Sequence, residues 1–312
     1  MKRITFCFTL FALFAIKING QNIQEKQIDS FIVKSLQEFK EIPSISITVV
    51  KDGKPFYAKN YGHSNLESKI KASNETSYYI ASVTKSFVGL LAAKLESDGV
   101  LNLDDPITNY KPIKNFKNKS LIENISIKDL LSHSSGIKNN ALTSKYASIG
   151  NYNTSSMVKL LENKTSSLNN NKKFRYDNFG YNVFDLILSE EFNILWKKLL
   201  EKEIFSPLKM KHTSAYISSA KKGQWNLAMP YASINDDRLP KMVLTKKNNE
   251  TFQAAGGIIS SIDDMQNILL MYMNNGYVDG VKVFNDKVLS RSLTLMAKNK
   301  KKGTISILLY MD

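Results

Sequence analysis

One segment constrains both the local structure and the chemistry of this chain: Ser82 stands three residues before Lys85, at the start of an apolar run over residues 87–95. The run is rich in leucine and alanine and therefore predicts a helix. Residues three apart lie on one face of a helix, so the Lys85 ammonium is expected beside the Ser82 hydroxyl. A serine hydroxyl becomes a good nucleophile when a neighbouring base takes its proton. This spacing is also common by chance, and the alternative interpretation is a solvent-facing helix start capped by Ser82 or Thr84.

The composition is that of a folded protein with a basic surface. Of its 312 residues, 43% are hydrophobic, which is enough for the core of one large or two small domains. The formal net charge is +15 at pH 7, which favours association with an anionic cell envelope. The lysines are spread along the chain without an aromatic-interleaved motif, so we expect no nucleic-acid partner.

The first twenty residues have the pattern of a secretory signal peptide. Lys2 and Arg3 precede an apolar run over residues 4–16, and Gly20 offers a small residue for cleavage. The run is too short for an ordinary transmembrane helix. The sequence therefore predicts a signal over residues 1–20, one domain over residues 21–312, and a periplasmic or secreted location in a bacterial envelope.

Cysteine and histidine usage limits the chemistry. The one cysteine, Cys7, lies inside the predicted signal, so the remaining chain would have neither disulfides nor a catalytic thiol. The three histidines, His63, His133 and His212, do not form a ligand pattern with cysteines or carboxylates. We therefore expect no metal site.

The early part of the chain predicts a helix followed by a β-hairpin. Residues 24–39 have helical periodicity. The residues expected on its apolar face are Ile28, Phe31, Ile32, Leu36 and Phe39. Next, two β-rich runs over residues 45–50 and 55–61 flank Asp52-Gly53, a strong hairpin signal.

The later part is mostly helical, and the order of elements predicts an α/β body with a helical region at about residues 100–210. Ser82 is expected at the seam, where pockets tend to form. The segments predicted as helices are 82–97, 127–132, 155–162 and 261–274, residues 179–204 are predicted as one or two helices, and residues 163–173 are predicted as a loop.

A second cluster with chemical potential is Phe174-Arg175-Tyr176-Asp177-Asn178. Tyr176 can carry a proton if a nearby ammonium lowers its pKa. Asn178 can donate its amide to a substrate carbonyl and accept from Lys85. The alternative is that Tyr176 is a packing residue with its hydroxyl at the surface.

Two further clusters carry weaker signals. His133 lies among serines in Ser132-His133-Ser134-Ser135-Gly136, but a structural role at a helix end, bonding backbone groups, is the better prediction than a Ser-His pair. Gly256 and Gly257 permit close backbone approach before a helix that Ser260 or Ser261 would cap.

Taken in order, these four clusters resemble the serine β-lactamase/DD-peptidase (penicillin-binding protein-like) superfamily, in its class C-like branch that includes bacterial carboxylesterases. The similarity extends to Tyr61–Glu67 and Ile204–Ser214, and covers roughly residues 24–275. The resemblance implies an α+β fold, an antiparallel sheet flanked by helices plus a mostly helical region.

The resemblance also implies acyl transfer without a metal or organic cofactor. Ser82 would attack an amide, β-lactam or ester carbonyl of a small-molecule or peptide substrate, with Lys85 and Tyr176 sharing the proton transfers. Asn178, Gly256 and Gly257 would line the substrate site, and the backbone N–H of Ser82 would be one oxyanion donor.

The sequence departs from that family in one motif. Relatives carry Lys/His-Thr/Ser-Gly on a strand that gives the second oxyanion N–H, and no such triplet follows Gly257; Lys302-Gly303-Thr304 has the letters in another order. The chain stops at Asp312, where relatives continue, so we expect C-terminal strands to be missing and activity to be weak or lost. Two alternatives stay open: a shortened or interrupted gene product, or a form completed by another segment or subunit. A non-catalytic envelope protein that binds peptidoglycan-type ligands is the alternative function.

Overall fold

The computed structural model describes residues 23–116, 119–137, 153–165, 173–233, 239–243, 247–251 and 253–295. The predicted signal and the segment Lys302-Gly303-Thr304 lie outside these residues. The helices are α1 (residues 23–38), α2 (Thr84–Ser97), α3 (Lys111–Lys114), α4 (Ile127–Leu131), α5 (Thr154–Thr165), α6 (Phe179–Phe192), α7 (Trp196–Leu200), α8 (Ser218–Lys222), α9 (Gln253–Gly256), α10 (Ile262–Met273) and α11 (Asp286–Leu295).

The strands form small antiparallel sheets, so the fold is α+β, as predicted. The strands are β1 (Ser44–Lys51), β2 (Lys54–Asn65), β3 (Ile70–Lys71), β4 (Tyr78–Tyr79), β5 (Tyr231–Ser233), β6 (Pro240–Met242), β7 (Ile259–Ser260), β8 (Tyr277–Val278) and β9 (Val281–Lys282). The sheet orders are β1-β2-β3, β4-β7, β5-β6 and β8-β9. No helix in the described part of the chain is long and apolar enough to cross a membrane.

The chain divides into two compact units, and the smaller consists of residues 1–47, 57–73 and 229–245. Within it, α1 is tied to β2 through Asp29, whose carboxylate accepts hydrogen bonds from Tyr57 at 2.6 Å and from Tyr61 at 2.5 Å. Lys59 adds an ion pair to the same carboxylate at 2.5 Å. These contacts hold the pKa of Asp29 at about 2, below its usual range.

The predicted apolar face of α1 is only partly correct. Ile32 is buried, but Phe31 is 69% exposed and Phe39 is 41% exposed. Ile28, Ile32 and Leu36 follow one another at intervals of four, so they form a narrow stripe along one side of the helix. Phe31 lies about 100° away from Ile32 around the helix axis, outside that stripe.

The larger unit consists of residues 48–56, 74–228 and 246–312. This unit includes the tip of the hairpin formed by β1 and β2. The chain turns there at Asp52 and Gly53, both of which have positive φ, as the predicted two-residue turn requires. Thr48 donates to the Gln266 side chain at 2.9 Å, and the Asn274 amide donates to the Gly53 carbonyl at 3.1 Å. The hairpin tip is thereby fixed to helix α10.

The core of the larger unit surrounds α2, which is buried on every side. Its fully buried residues include Phe87, Leu90 and Leu91, and a helix that is apolar all round is a central helix. Phe87 meets Phe205 edge to face, with ring centroids 5.7 Å apart. Arg291 on α11 holds Glu96 near the C-terminal end of α2 by two hydrogen bonds, at 2.7 and 3.0 Å. This packing fixes the direction of α2 and hence the place of Ser82 at its start.

The helices predicted from periodicity are present with small differences at their ends, and residues 179–204 form two of them, α6 and α7, separated by a break at Asn193 with φ +54°. Helix α5 runs to Thr165, into the segment predicted as loop from Asn163, and residues 166–172 lie outside the described part. Ser261 caps α10 by accepting from the Asp264 backbone N–H at 3.3 Å, as one of the two predicted alternatives.

Candidate active site

Ser82 lies in a single 3₁₀ turn, Ala81–Val83, immediately before α2. The strand that leads into it is anchored by the pairs Tyr78↔Ser260 and Tyr79↔Ile259, and the Ile80 N–H donates to the Ile258 carbonyl at 3.1 Å. Ala81 has φ +43°, a left-handed conformation that is strained for a residue with a Cβ. Strain of this kind persists where surrounding structure imposes it, and it is concentrated at functional sites.

The Ser82 hydroxyl lies between the two proton-carrying side chains that the sequence predicted. Ser82 Oγ is 2.6 Å from the Tyr176 hydroxyl, and either atom can be the donor. The Lys85 ammonium donates to Ser82 Oγ at 3.1 Å. Tyr176 is 94 residues away in the chain, so the fold, rather than local spacing, assembles this trio.

Lys85 is a buried amine whose charge is destabilised by its surroundings. Its side chain is inside the protein, and its Nζ lies 5.0 Å from the ring centroid of Tyr176 and 5.4 Å from that of Tyr181. Nζ also donates to the Ala255 carbonyl at 2.6 Å. Burial lowers the pKa of Lys85 from 10.5 to about 7, while Asp177 opposes this. An amine with this pKa is substantially unprotonated near neutral pH, as a general base must be.

Tyr176 is held in its neutral form. Burial of part of the ring raises the pKa of Tyr176 above its ordinary value, and the hydrogen bond with Ser82 opposes this only in part. The condition under which the sequence made Tyr176 a proton carrier, a pKa lowered by a nearby ammonium, is therefore not met: burial raises this pKa, and the charge of Asp177 adds to the increase. A neutral Tyr176 can still accept the Ser82 proton while passing on its own.

His133 supports the site without reacting. Its ring stacks on Tyr176 with centroids 4.6 Å apart, and its Nδ1 accepts from the Asp177 backbone N–H at 3.1 Å. Its own carbonyl accepts from the Arg175 N–H at 2.7 Å. Burial, together with the charge on Lys85, lowers the pKa of His133 to about 4. These contacts agree with the predicted structural role, in which His133 bonds backbone groups.

Asp177 was not singled out by the sequence, although it is the buried carboxylate of the site. It accepts from the Phe179 and Gly180 N–H groups at 3.0 and 2.9 Å and thereby fixes the start of α6. Burial raises the pKa of Asp177 to about 6. The sequence did contain a signal for this role, because an aspartate just before an apolar helix is typical of a helix cap.

Asn178, Gly256 and Gly257 are the three residues that the sequence predicted to line the substrate site. Asn178 is half-buried at the start of α6, and the described residues show no hydrogen bond between its amide and Lys85, whose second acceptor is Ala255 instead. Gly256 ends α9, and a Cβ at Gly257 would lie 2.9 Å from the Gln253 carbonyl oxygen. The close approach at Gly257 is therefore made by the chain's own backbone.

No metal-binding group was found within the described residues: three or more His, Cys, Asp or Glu side chains do not come together there. What the site offers is a serine hydroxyl at a helix N-terminus, an amine with a pKa of about 7 and a phenol. Backbone N–H groups at a helix N-terminus lack intrahelical acceptors and can stabilise an oxyanion. This set of groups is suited to nucleophilic acyl transfer.

Comparisons with solved structures agree with the fold. The chain superimposes on the octameric penicillin-binding protein homologue from Pyrococcus abyssi with a TM-score of 0.70 and 27% identity, covering 85% of this chain and 59% of that one. It is also similar to FmtA from Staphylococcus aureus, with a TM-score of 0.64 and 25% identity over 84% of this chain and 66% of that one.

Two curated relatives also come from Staphylococcus aureus. The chain is 35% identical over 198 residues to Protein flp of Staphylococcus aureus (strain COL), which is 62% of this chain and 39% of the relative. It is 26% identical over 271 residues to the teichoic acid D-alanine hydrolase of Staphylococcus aureus (strain MRSA252), which is 86% of this chain and 61% of the relative. The chain thus spans less than two thirds of the length of either relative.

The family model described as Beta-lactamase matches residues 32–304, a span that contains Ser82, Lys85 and Tyr176. The chain therefore belongs to the beta-lactamase family, a family of serine hydrolase-like proteins.

Proposed function

We propose that this protein is an exported serine hydrolase that cleaves acyl bonds of cell-wall-derived substrates through an acyl-enzyme on Ser82. The observation that supports this most directly is the position of Ser82 Oγ, 2.6 Å from the Tyr176 hydroxyl and 3.1 Å from the Lys85 amine. Both distances allow proton transfer in the resting arrangement.

In the first half-reaction, Ser82 Oγ attacks the substrate carbonyl carbon and the hydroxyl proton passes to Lys85, directly or through Tyr176. The carbonyl oxygen becomes an oxyanion beside the Ser82 backbone N–H. As the bond to the leaving group breaks, the leaving group takes a proton back from the Tyr176 and Lys85 pair. Water then attacks the Ser82 ester, loses a proton to the same pair, and releases the acid with Ser82 restored.

An ester on a wall polymer is the substrate class that we propose. The relative named teichoic acid D-alanine hydrolase aligns with 86% of this chain, and its name describes removal of D-alanine from such a polymer. Teichoic acids have a phosphate-bearing backbone, which a basic protein would attract: the formal net charge is +15, and it stays positive without Lys2, Arg3 and Lys17 of the predicted signal. Wall peptides and β-lactams are the competing substrates.

Export rests on the sequence pattern of residues 1–20, which places a basic start before an apolar run. We propose that this segment directs the protein to the periplasm or the outside of the cell. Expression of the full chain in a bacterial host, followed by N-terminal sequencing of the exported product, tests this; retention in the cytoplasm with Met1 in place would refute it.

For the chain as printed, we propose slow turnover. Its sequence has no Lys/His-Thr/Ser-Gly triplet after Gly257, so one oxyanion donor of the resembled family has no counterpart in the printed residues. Loss of one such donor costs about 10² to 10³ in rate. The same observation favours a second function, that of a non-catalytic protein that binds wall ligands in this site.

Hydrolysis of three substrates by the purified 312-residue chain separates these functions. The substrates are a D-alanyl ester, a D-alanyl-D-alanine peptide and a chromogenic cephalosporin, with Ser82→Ala and Ser86→Ala as the inactive and matched control variants. We expect slow ester hydrolysis that only Ser82→Ala abolishes. Binding of the substrates without hydrolysis, unchanged in Ser82→Ala, would favour the non-catalytic function.

A further inference from the structure

An open groove of about 400 Å³ in the larger unit is lined by two lysines and an indole. Its walls include Lys221, Trp225, Leu227, Lys247, Asn248 and Asn249, and no carboxylate is among the described residues that line it. We call this the lysine groove. Its lining combines positive charge, amide groups and an apolar face.

Lys247 is held in the groove rather than extended into solvent. Its ammonium lies 4.1 Å from the ring centroid of Tyr79, a cation–π contact. Burial of part of the side chain lowers its pKa. Within the described residues Lys247 has neither a carboxylate nor a hydrogen-bond partner, so the groove contains a partly desolvated cation that none of the described carboxylates pairs with.

The loop that carries Lys247 is fixed in place. Asn249 accepts from the Ser218 N–H at 2.9 Å and donates to the Ser218 hydroxyl at 3.0 Å. Lys197, from helix α7, donates to the Asn249 carbonyl. Asn249 is therefore held in place from both sides before a ligand binds, which lowers the ordering cost at this wall.

The other wall is formed by α8 and Trp225. The backbone N–H of Trp225 donates to the Ala220 carbonyl at 2.8 Å. The Trp225 indole packs edge to face on the His212 ring, with centroids 5.5 Å apart. Lys221 lies on this wall and, like Lys247, has no carboxylate partner in the described part of the chain. Trp225 also lines a second open groove that contains Lys198, Lys202 and Lys211, with Glu201 as the one carboxylate among its described lining residues.

The lysine groove is connected to the catalytic centre through two short segments. Tyr79, beneath the Lys247 ammonium, is three residues before Ser82 on the strand that leads into it. The loop with Lys247 precedes α9, whose Ala255 carbonyl accepts from Lys85. A ligand held at the Lys247 ammonium would therefore lie near Tyr79, on the strand that leads to the nucleophile.

From this arrangement we infer that the lysine groove binds the phosphate-bearing backbone of an anionic wall polymer and holds it while an acyl ester on the same polymer reaches Ser82. The inference rests on the proposed function and adds a separate subsite to it. Lysine ammonium groups bind phosphates as point charges, and the Trp225 face provides apolar contact for the carbon part of a repeating unit. A nucleic acid is the less suitable polyanion, because single-strand binding relies on several stacked aromatics and Trp225 is the groove's one indole among the described lining residues.

The test is the binding of poly(glycerol phosphate), prepared by removing the D-alanyl esters from a teichoic acid, to the 312-residue chain carrying Ser82→Ala. Isothermal calorimetry gives the affinity, and Trp225→Phe shows whether a change in tryptophan fluorescence on binding comes from Trp225 rather than Trp196. Lys221→Ala and Lys247→Ala should each weaken binding about fivefold, as expected for one partly screened charge contact.

The matched control is Lys114→Ala, which removes the same charge from an exposed position on α3. It should change the affinity less than twofold; an effect as large as that of Lys247→Ala would mean that only net charge attracts the polymer, and would overturn the inference. Equal or tighter binding of single-stranded DNA with the same number of phosphates would also overturn it. Circular dichroism confirms that each variant is folded.

The subsite and the proposed function fail separately. Hydrolysis of a small D-alanyl ester that depends on Ser82, without polymer binding at the lysines, would overturn the subsite alone. Lysine-dependent polymer binding without any Ser82-dependent hydrolysis would overturn the catalytic proposal alone.

Discussion

The Lys85 ammonium donates a hydrogen bond of 2.6 Å to the carbonyl of Ala255, a residue 170 positions later in the chain. This contact decides how the amine can act. A neutral lysine has two N–H bonds and one lone pair, and Ala255 engages one N–H. The lone pair can then face Ser82 Oγ, 3.1 Å away, and accept its proton.

The first prediction is the pH dependence of Ser82 acylation. Because burial lowers the pKa of Lys85 to about 7, the rate should rise with pH through about 7 and then level off. Lys85→Met should lower the rate at least about 10²-fold, since the general base is lost. Stopped-flow or gel-based acylation rates at pH 5 to 9 measure this. Lys94→Met, on the same helix, is the control and should keep the full pH profile.

The second prediction concerns stability. Between pH 7 and 10.5 the unfolded chain keeps Lys85 protonated while the folded chain does not. The unfolded state binds more protons there, so this group makes the free energy of unfolding rise with pH across that window. Urea unfolding at pH 7 and pH 9.5 should show a smaller increase in Lys85→Met than in the unmodified chain. An equal increase in both would mean that Lys85 is charged in the folded protein.

The third prediction concerns Tyr176→Phe. This change removes the hydroxyl 2.6 Å from Ser82 and keeps the ring on His133. Acylation of Ser82 should slow by about 10²-fold, because one partner in proton transfer is lost. Tyr176 is 42% exposed, so the unfolding midpoint should barely move. Tyr272→Phe, which also removes one tyrosine hydroxyl, is the control and should leave acylation unchanged.

The fourth prediction assigns His133 a positioning role. Its pKa of about 4 means that no ionisation of His133 should be seen in the acylation rate above pH 5. His133→Ala removes the acceptor for the buried Asp177 N–H and should destabilise the fold by about 1 to 3 kcal/mol. His133→Asn should recover part of this loss, since asparagine tolerates the φ of +59°.

Acylation rates separate that role from a purely structural one. Because His133 supports the Tyr176 ring, His133→Ala should lower the rate of acylation far less in a Tyr176→Phe background than in the unmodified chain. Equal effects in both backgrounds would show that His133 acts independently of Tyr176.

The fifth prediction compares two glycines with the same backbone angle. Gly62 and Gly99 both have φ +74°, but a Cβ on Gly62 would lie 2.1 Å from the Pro43 carbonyl oxygen, whereas a Cβ on Gly99 has nothing within 4 Å. Gly99→Ala should therefore cost only the left-handed conformation, about 1 to 2 kcal/mol. Gly62→Ala should cost clearly more, and similar unfolding free energies for both variants would contradict this packing.

The sequence alone predicted the parts of the site that follow from local chemistry. The spacing of Ser82 and Lys85 predicted that their side chains meet, and the Asp52-Gly53 turn predicted a hairpin; both are present, although Ser82 lies in the 3₁₀ turn just before α2. Tyr176 was expected at the centre only through the family resemblance, because no local pattern relates it to a serine 94 residues away.

What the sequence could not predict depends on tertiary packing. The Ala255 carbonyl is a backbone atom and leaves no mark in a residue pattern. Burial raises the pKa of Tyr176, and the extent of that burial is not visible in the sequence around it. The exposure of Phe31 on α1 is likewise decided by which side of that helix finds a partner. Even the lysines of the groove look like ordinary surface residues until the fold places Lys247 over Tyr79.

The most direct test of the central claim is mass spectrometry of the purified chain after reaction with a fluorophosphonate, followed as a rate at pH 8. The account predicts one covalent adduct, on the peptide that contains Ser82, absent in Ser82→Ala and formed at least about 10²-fold more slowly in Lys85→Met. No adduct on Ser82, or an adduct that forms equally fast without Lys85, would contradict it.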